Sequence, residues 1–347
     1  MIKIIVIGGG AAGFMSAIEC ASRLGNKADI IILERGKNVL EKVRISGGGR
    51  CNVTNKIFEP KDLVKFYPRG EKELLSPFHQ FNSKDTMEWF RKNGVKLKTE
   101  SDGRVFPVTD NSETIVRCLL QQAQNHNISV ITGSRVDKFY FKDEHWIIHT
   151  NHKIYQVDYL ICTPGSSPAI WEILKNLGHS IIPPVPSLFT FNIQHPILNG
   201  LMGVSHEKII ISCKELKIKS SGALLITHWG LSGPAILRLS AWGARVFHEN
   251  NYQFEICINW SNLEKNQEVE ELISIQKSKS PKQKVVNAPM FDISSRLWIS
   301  ICKYSGIETE RWVDLNKLMT QNLIQNLFNC TMKVNGKSTN KDEFVTA

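Results

Sequence analysis

The sequence predicts an α/β fold built on a parallel, Rossmann-like sheet, and three observations carry that expectation. An apolar, β-branched run, Ile2-Lys-Ile-Ile-Val-Ile7, leads directly into Gly8-Gly-Gly-Ala-Ala-Gly13. Phe14 to Leu24 then repeats apolar residues at helical spacing and stops at Gly25-Asn26. A second apolar run, Asp29 to Leu33, ends on an acid, Glu34. Nearly continuous apolar strands are what a parallel sheet covered on both faces requires.

Composition bounds the rest. With 347 residues, 42% hydrophobic and 22% charged, the chain is globular and long enough for roughly two to three domains. No stretch approaches the ~18 apolar residues of a membrane span. The apolar start, Met1 to Ile7, is too short for a secretory signal, so a cytoplasmic location is expected. Eight cysteines stand at least 28 residues apart with no C-x-x-C, and no histidine pair has ligand spacing. Neither disulfides nor a metal site is expected. The net charge of +10 suits an anionic partner or cofactor, or solubility alone. Its densest cluster, Lys277 to Lys284, has no interleaved aromatics and reads as a solvated loop, so nucleic acid is not the first partner expected.

Alone, G-x-G-x-x-G is a weak signal, but here it joins a strand to a helix, and an acid follows 21 residues after Gly13. That context is the fingerprint of a dinucleotide-binding βαβ unit. Gly8 permits the tight turn, Gly10 lets the backbone approach a pyrophosphate, and Gly13 lets helix pack on strand. Ala11 and Ala12 open the helix, whose N-terminus faces the phosphates. Glu34 is placed to accept from the adenosine ribose hydroxyls. A carboxylate there repels a 2′-phosphate, which disfavours NADP and leaves NAD and FAD. A second glycine cluster, Ser46-Gly47-Gly48-Gly49-Arg50-Cys51-Asn52-Val-Thr54-Asn55, sets a cation among small polar residues. It reads as an anion-binding nest, and Cys51 as a buried small hydrophobe.

Gly8 to Gly13, Glu34-Arg35 and Ile45 to Asn55 together resemble a family of bacterial FAD flavoproteins, described as aminoacetone-oxidase-like or bile-acid-reductase-like NAD(P)/FAD-dependent oxidoreductases. Asp102-Gly-Arg-Val-Phe-Pro107, Pro184-Val-Pro-Ser-Leu188 and Thr227-His-Trp-Gly-Leu-Ser-Gly-Pro-Ala235 extend the resemblance along nearly the whole chain. It implies an FAD-binding, two-dinucleotide-binding-domain fold with an inserted β-barrel-like module and a helical module. The Gly8 to Gly13 loop then holds the pyrophosphate, Glu34 and Arg35 the ribose end, and Ser46 to Asn55 runs toward the flavin. Val136 takes the position of an adenine-contacting strand residue. Gly165 joins the set at Thr163-Pro-Gly165, where the family carries Thr-Gly-Gly; the proline removes one backbone donor.

The remaining chain divides accordingly. Residues 1–186 are expected to form the FAD-binding domain, with a helix from Ser112 to Asn125 and a β-meander over residues 128–162. Residues 187–262 read as a β-rich domain and 263–330 as a helical insert, with Trp298 and Trp312 as core. Residues 331–347 read as the return toward the first domain, opening on a strand at Thr331 to Val334. The family continues for several dozen residues past the equivalent of Glu343-Phe-Val-Thr346, through a glycine-rich loop and helix that grip the flavin. The expectation is therefore a chain lacking that second grip and holding FAD weakly.

Function follows with alternatives. First stands an FAD-dependent oxidoreductase moving hydride between flavin N5 and a small or alicyclic molecule, with NAD(P)H as a visiting reductant because no second G-x-G-x-x-G exists. A flavin-deficient, non-catalytic fragment and a flavoprotein acting on RNA are the alternatives. No catalytic acid or base stands in a motif with an orienting partner, so none is assigned.

Overall fold

The structure, a computed structural model, describes residues 1–339 and 345–346. The chain divides into two compact units at Pro183/Pro184.

In the first unit, β1 (Ile2–Ile7), α1 (Ala11–Leu24) and β2 (Ala28–Leu33) come first, followed by α2 (Glu41–Ile45), β3 (Thr54–Asn55), α3 (Pro60–Leu63), α4 (Glu71–Gln80) and α5 (Ser83–Lys92). Next come β4 (Leu97–Thr99), β5 (Arg104–Pro107), α6 (Glu113–Asn125) and β6 (Ser129–Ile131). A meander of β7 (Val136–Lys142), β8 (His145–Thr150) and β9 (Ile154–Val157) precedes β10 (Tyr159–Cys162) and α7 (Pro168–Asn176). The central sheet is parallel in the order β10-β1-β2-β6. Ile4 and Val6 pack under α1, α5 and α6, while Ile5 and Ile7 face the meander and α7. The unbroken apolar run of β1 is thus the signature of a strand with two covered faces.

Two local details tie these elements together. Ser112 precedes α6 but its hydroxyl does not cap the helix; it donates to the Arg44 carbonyl at 2.7 Å and ties α2 to α6. Strand pairing also breaks at Asp158, between β9 and β10. Asp158 exchanges backbone and carboxylate hydrogen bonds with Lys3, at 3.0 and 2.8 Å, and so hands the chain from the meander to the central sheet.

The second unit holds β11 (Pro186–Ser187), β12 (Thr190–Ile193), β13 (Ser205–Cys213), β14 (Ile218–Ile226), β15 (Gly230–Ser232) and α8 (Pro234–Glu249). They are followed by β16 (Phe254–Asn259), α9 (Asn266–Lys279), α10 (Ser295–Tyr304), α11 (Lys317–Phe328), β17 (Cys330–Ser338) and β18 (Val345–Thr346). A six-stranded barrel closes in the order β12-β15-β14-β13-β16-β17. The strand expected at Thr331 to Val334 is the first part of β17, with Met332 and Val334 buried and Thr331 and Lys333 exposed. It stays inside the second unit by pairing with β12 and β16. Of the Glu343 to Thr346 stretch, residues 343–344 lie outside the described residues, and Val345–Thr346 pairs with β11. Helices α9 to α11 enter between β16 and β17 and share one core with the barrel, instead of forming a core of their own. Trp260, Trp298 and Trp312 are fully buried in it.

The Trp298 indole donates to the Val285 carbonyl at 2.8 Å inside that core. Trp298→Ala is expected to destabilise the chain by about 3–5 kcal/mol, through lost burial and a residual cavity. Trp298→Phe keeps most of the packing and removes one of two hydrogen bonds to the Val285 carbonyl, which still accepts from the Ala288 N–H at 3.1 Å, at a cost of about 0.5–1.5 kcal/mol. Urea denaturation followed by far-ultraviolet circular dichroism checks both; an unshifted midpoint for the alanine variant contradicts this account of the core.

Candidate functional site

A groove of about 1020 Å³ opens over the β1–α1 loop, within the first unit. This lies at the top of the ~300–1,000 Å³ range of small-molecule sites. Its floor is Gly8 to Ala12, one wall is Glu34 to Lys42, and the far wall carries Ser46, Cys51, Asn52 and Val53.

Close approach explains the glycines. At Gly8, with φ +106°, a Cβ would sit 2.2 Å from the Thr163 carbonyl oxygen, where the loops after β1 and β10 meet. A Cβ on Gly13 would lie 2.0 Å from the Gly8 oxygen, so α1 rests directly on the loop. Gly10 differs: a Cβ there meets nothing within 4 Å. The protein does not need that glycine for its own packing, and the empty side faces the groove. At the same point α1 begins with no side-chain cap and no acid in its first turn. Its first N–H groups have no intrahelical partner, and together with the helix dipole they make a site for an anion.

Glu34 closes the loop from the other side. Its carboxylate accepts from the Gly9 N–H at 2.8 Å and the Gly36 N–H at 2.6 Å. A carboxylate has about four lone-pair sites, so two remain for ligand hydroxyls. Glycine at position 9 was not assigned a role from sequence. Its Cβ would fall 2.8 Å from Val39 and 3.0 Å from the Glu34 Cβ, and the triple glycine Gly8-Gly9-Gly10 is the signal that could have found it.

Beyond the first loop the structure divides the candidate residues. Ala11, Ala12, Arg35, Ser46, Cys51, Asn52 and Gly165 line the same groove as Gly8, Gly10 and Glu34. Gly13 lies just beneath it. Val136 opens β7 and lines a smaller cavity of about 110 Å³, which shares Gly8, Glu34, Arg35 and Pro164 with the groove. Gly47, Gly48, Gly49, Arg50 and Thr54 are not among the groove's lining residues. The three glycines all adopt positive φ in a compact turn. The Gly49 and Cys51 N–H groups in that turn donate to the Ser46 carbonyl, at 3.2 and 2.9 Å, so the turn uses amides that a nest would present to an anion.

Arg50 points to the other side of that turn. It pairs with Glu100 and with Asp110, the latter at 2.6 Å, and its guanidinium lies 4.0 Å from the Phe106 ring centre. Lys98 and then Arg50 hold the Asp110 carboxyl below the usual carboxylate range. Burial pushes the Cys51 thiol up, against a smaller opposing effect of Ser46. It is therefore a protonated wall residue at neutral pH, and no nucleophile.

Side chains that no motif marked complete the groove. Met15 of α1, Phe81, Phe90 of α5, and Ile115 and Leu119 of α6 make one end apolar. No histidine or tyrosine appears among its lining residues, and no cluster of potential metal ligands exists among the described residues.

A parallel βαβ unit, a glycine loop, an uncapped helix start and an acid at the tip of the second strand define a dinucleotide-binding Rossmann domain. The chain belongs to the HI0933-like protein Rossmann domain family, whose model matches residues 2–337 and falls within the FAD-dependent oxidoreductases. The 3-dehydro-bile acid delta(4,6)-reductase of Clostridium scindens is 25% identical, over 72% of this chain and 62% of that protein, so the match spans less than two thirds of that relative. The ribosomal RNA dihydrouridine synthase of Escherichia coli is 27% identical, over 96% of this chain and 81% of its own length. The protein of that name from Haemophilus influenzae is 26% identical, over 96% and 82%.

Two substitutions separate the roles argued here. Glu34→Ala is expected to weaken FAD binding by about 1–3 kcal/mol, having lost a ligand acceptor and the clasp on Gly9 and Gly36; fluorescence titration reads it, and unchanged affinity contradicts the assignment. Arg50→Ala is expected to raise hydrogen exchange at the Cys51 and Val53 amides while changing FAD affinity less than Glu34→Ala does. A larger affinity loss at Arg50 would restore it to the phosphate site.

Proposed function

We propose that this chain is the flavin-binding part of an FAD-dependent reductase that adds hydride to a carbon–carbon double bond conjugated with a carbonyl. The observation that carries the cofactor is the uncapped start of α1 beside Gly10, whose missing Cβ serves no contact within the protein. A diphosphate fits that cradle. Its adenosine would extend past Glu34 toward Val136, and its ring system would extend along Ser46 and Cys51 to Val53. FAD bound there supplies reversible hydride transfer. The chain's own residues do the rest. Ala11, Ala12 and Gly13 offer N–H groups to the diphosphate, and Glu34 accepts from ribose hydroxyls. Arg35 and Lys37 add positive charge at the adenosine side. Met15, Phe90, Ile115 and Leu119 keep water from the apolar end. The second carbon of the double bond takes its proton from solvent, and no lining side chain is assigned to deliver it.

The substrate class rests on the relatives' names. A 3-dehydro-Δ4,6 steroid and the uracil ring share one reacting unit, a double bond conjugated with a carbonyl, and both names describe its reduction. A small alicyclic enone is one form of that substrate. Uridine in RNA is the other, favoured by the synthases' alignment over nearly the whole chain. NADH or NADPH would serve as a visiting reductant, since the chain has a single G-x-G-x-x-G.

The test is anaerobic turnover of the FAD-supplemented chain with NADH or NADPH, against a 3-oxo-Δ4,6 steroid and a uridine-containing RNA. Saturation of the double bond removes the substrate's ultraviolet chromophore in both cases. FAD-dependent loss of either chromophore is expected. Failure to reduce either substrate with FAD bound defeats the reductase reading, and failure to bind FAD at all defeats the site.

A further inference from the structure

One end of the barrel presents aromatic side chains that the protein itself does not use. The β14–β15 hairpin turns through Thr227-His-Trp-Gly230, and its tip exposes His228 and Trp229, the indole to 58%. The two rings lie 4.5 Å apart, tilted by 45°. Their backbone is held firmly. Thr227 N–H donates to the Gly230 carbonyl at 2.8 Å, Trp229 N–H to the Thr227 hydroxyl at 3.3 Å, and Ile193 N–H to the Trp229 carbonyl at 2.9 Å. Gly230 has φ +144°, and a Cβ there would fall 2.3 Å from the Phe191 oxygen, so the tip is clamped against β12. A large apolar ring left more than half exposed on a rigid turn contributes little to folding. It suits a partner with a flat face.

The surroundings say which partner. The loop before β13 is bonded to the same hairpin, through Gly203 N–H to the Ile226 carbonyl and Ile226 N–H to the Val204 carbonyl, both at 2.9 Å. It brings Met202, 62% exposed, to this end of the barrel. Arg296 holds that loop by donating to the Gly200 carbonyl at 2.6 Å, with its side chain in an exposed position. Residues 194–204 and 226–233 contain no aspartate or glutamate. Stacking rings, a guanidinium and a carboxylate-free stretch are the components of a single-stranded nucleic-acid contact: bases stack on the aromatics and the backbone meets the cation.

We propose that His228 and Trp229 form a base-stacking contact for single-stranded, uridine-containing RNA. This rests on the RNA form of the reductase reading and adds to it the residues that would grip the substrate.

Fluorescence anisotropy of a labelled, uridine-rich single-stranded RNA with the full chain tests it. Trp229→Ala should weaken binding at least about fivefold, the low end of one lost stacking contact. Trp229→Phe should stay within about twofold, and Trp242→Ala, which removes an exposed indole from α8, should leave binding unchanged. The urea midpoint of the Trp229→Ala protein, followed by far-ultraviolet circular dichroism, should match that of the parent and shows that the barrel is folded. Equal RNA affinity in Trp229→Ala and the parent overturns the proposal. So does loss of a 3-oxo-Δ4,6 steroid in place of RNA, which would make the tip a small-molecule contact. Because the readout needs neither reductant nor turnover, its failure is distinct from failure of the reductase reading.

Discussion

The clasp between Glu34 and the backbone of Gly9 and Gly36 is the interaction on which the first unit's site depends. It is a charge-assisted pair of hydrogen bonds joining the ends of two parallel strands across the loop that must stay open. It adds to the Gly8 N–H bond to the Leu33 carbonyl and the Leu40 N–H bond to the Gly9 carbonyl, both at 2.8 Å, in holding three consecutive glycines, which lose more backbone freedom on folding than any other residue. With it, the loop keeps a shape in which the first amides of α1 face outward. The ligand would meet a cradle already formed. Pre-organisation of this kind lowers the ordering cost that binding must overcome.

Legibility in the sequence followed how local the physics is. The βαβ unit could be read because strand, loop, helix and acid fall within residues 2–34 and each leaves a pattern of its own. The second glycine cluster was visible as a special backbone but not as a turn closed on itself. Arg50 reads as a free cation until Asp110, sixty residues later, is folded beside it. Nothing in the spacing of those two residues announces the pair. In the same way Phe81, Phe90, Ile115 and Leu119 look like ordinary core residues of separate helices. Only the tertiary fold turns them into one wall of the groove.

The second unit shows where periodicity misleads. Gly230-Leu-Ser232 is too short and too glycine-rich to announce a strand, yet it completes the barrel between β12 and β14. The strand expected at Thr331 to Val334 runs on to Ser338, with Asn335 bulged out between Val334 and Gly336, which pair with the consecutive β12 residues Ile193 and Asn192. Extending β17 is what lets the barrel close, and closure removes the open edges that a six-stranded sheet would otherwise expose. The helical stretch over residues 266–328 then has a natural place as an excursion between two neighbouring strands, covering one part of the barrel with Trp298 and Trp312.

The two units answer different physical demands. In the first, glycine and an uncapped helix leave backbone donors open for an anion. In the second, a closed barrel fixes a short hairpin so tightly that its exposed rings cannot retreat into the core. Each feature costs stability when considered alone: unpaired helix amides at one place, solvated indole at the other. Such local violations persist where surrounding structure determines them, and they concentrate at binding sites. Glu34 and the Thr163 carbonyl do this for the loop, as Phe191 and Ile193 do for the hairpin. That shared logic is the reason to treat the Thr227 to Gly230 tip as a functional surface, on the same physical footing as the glycine loop.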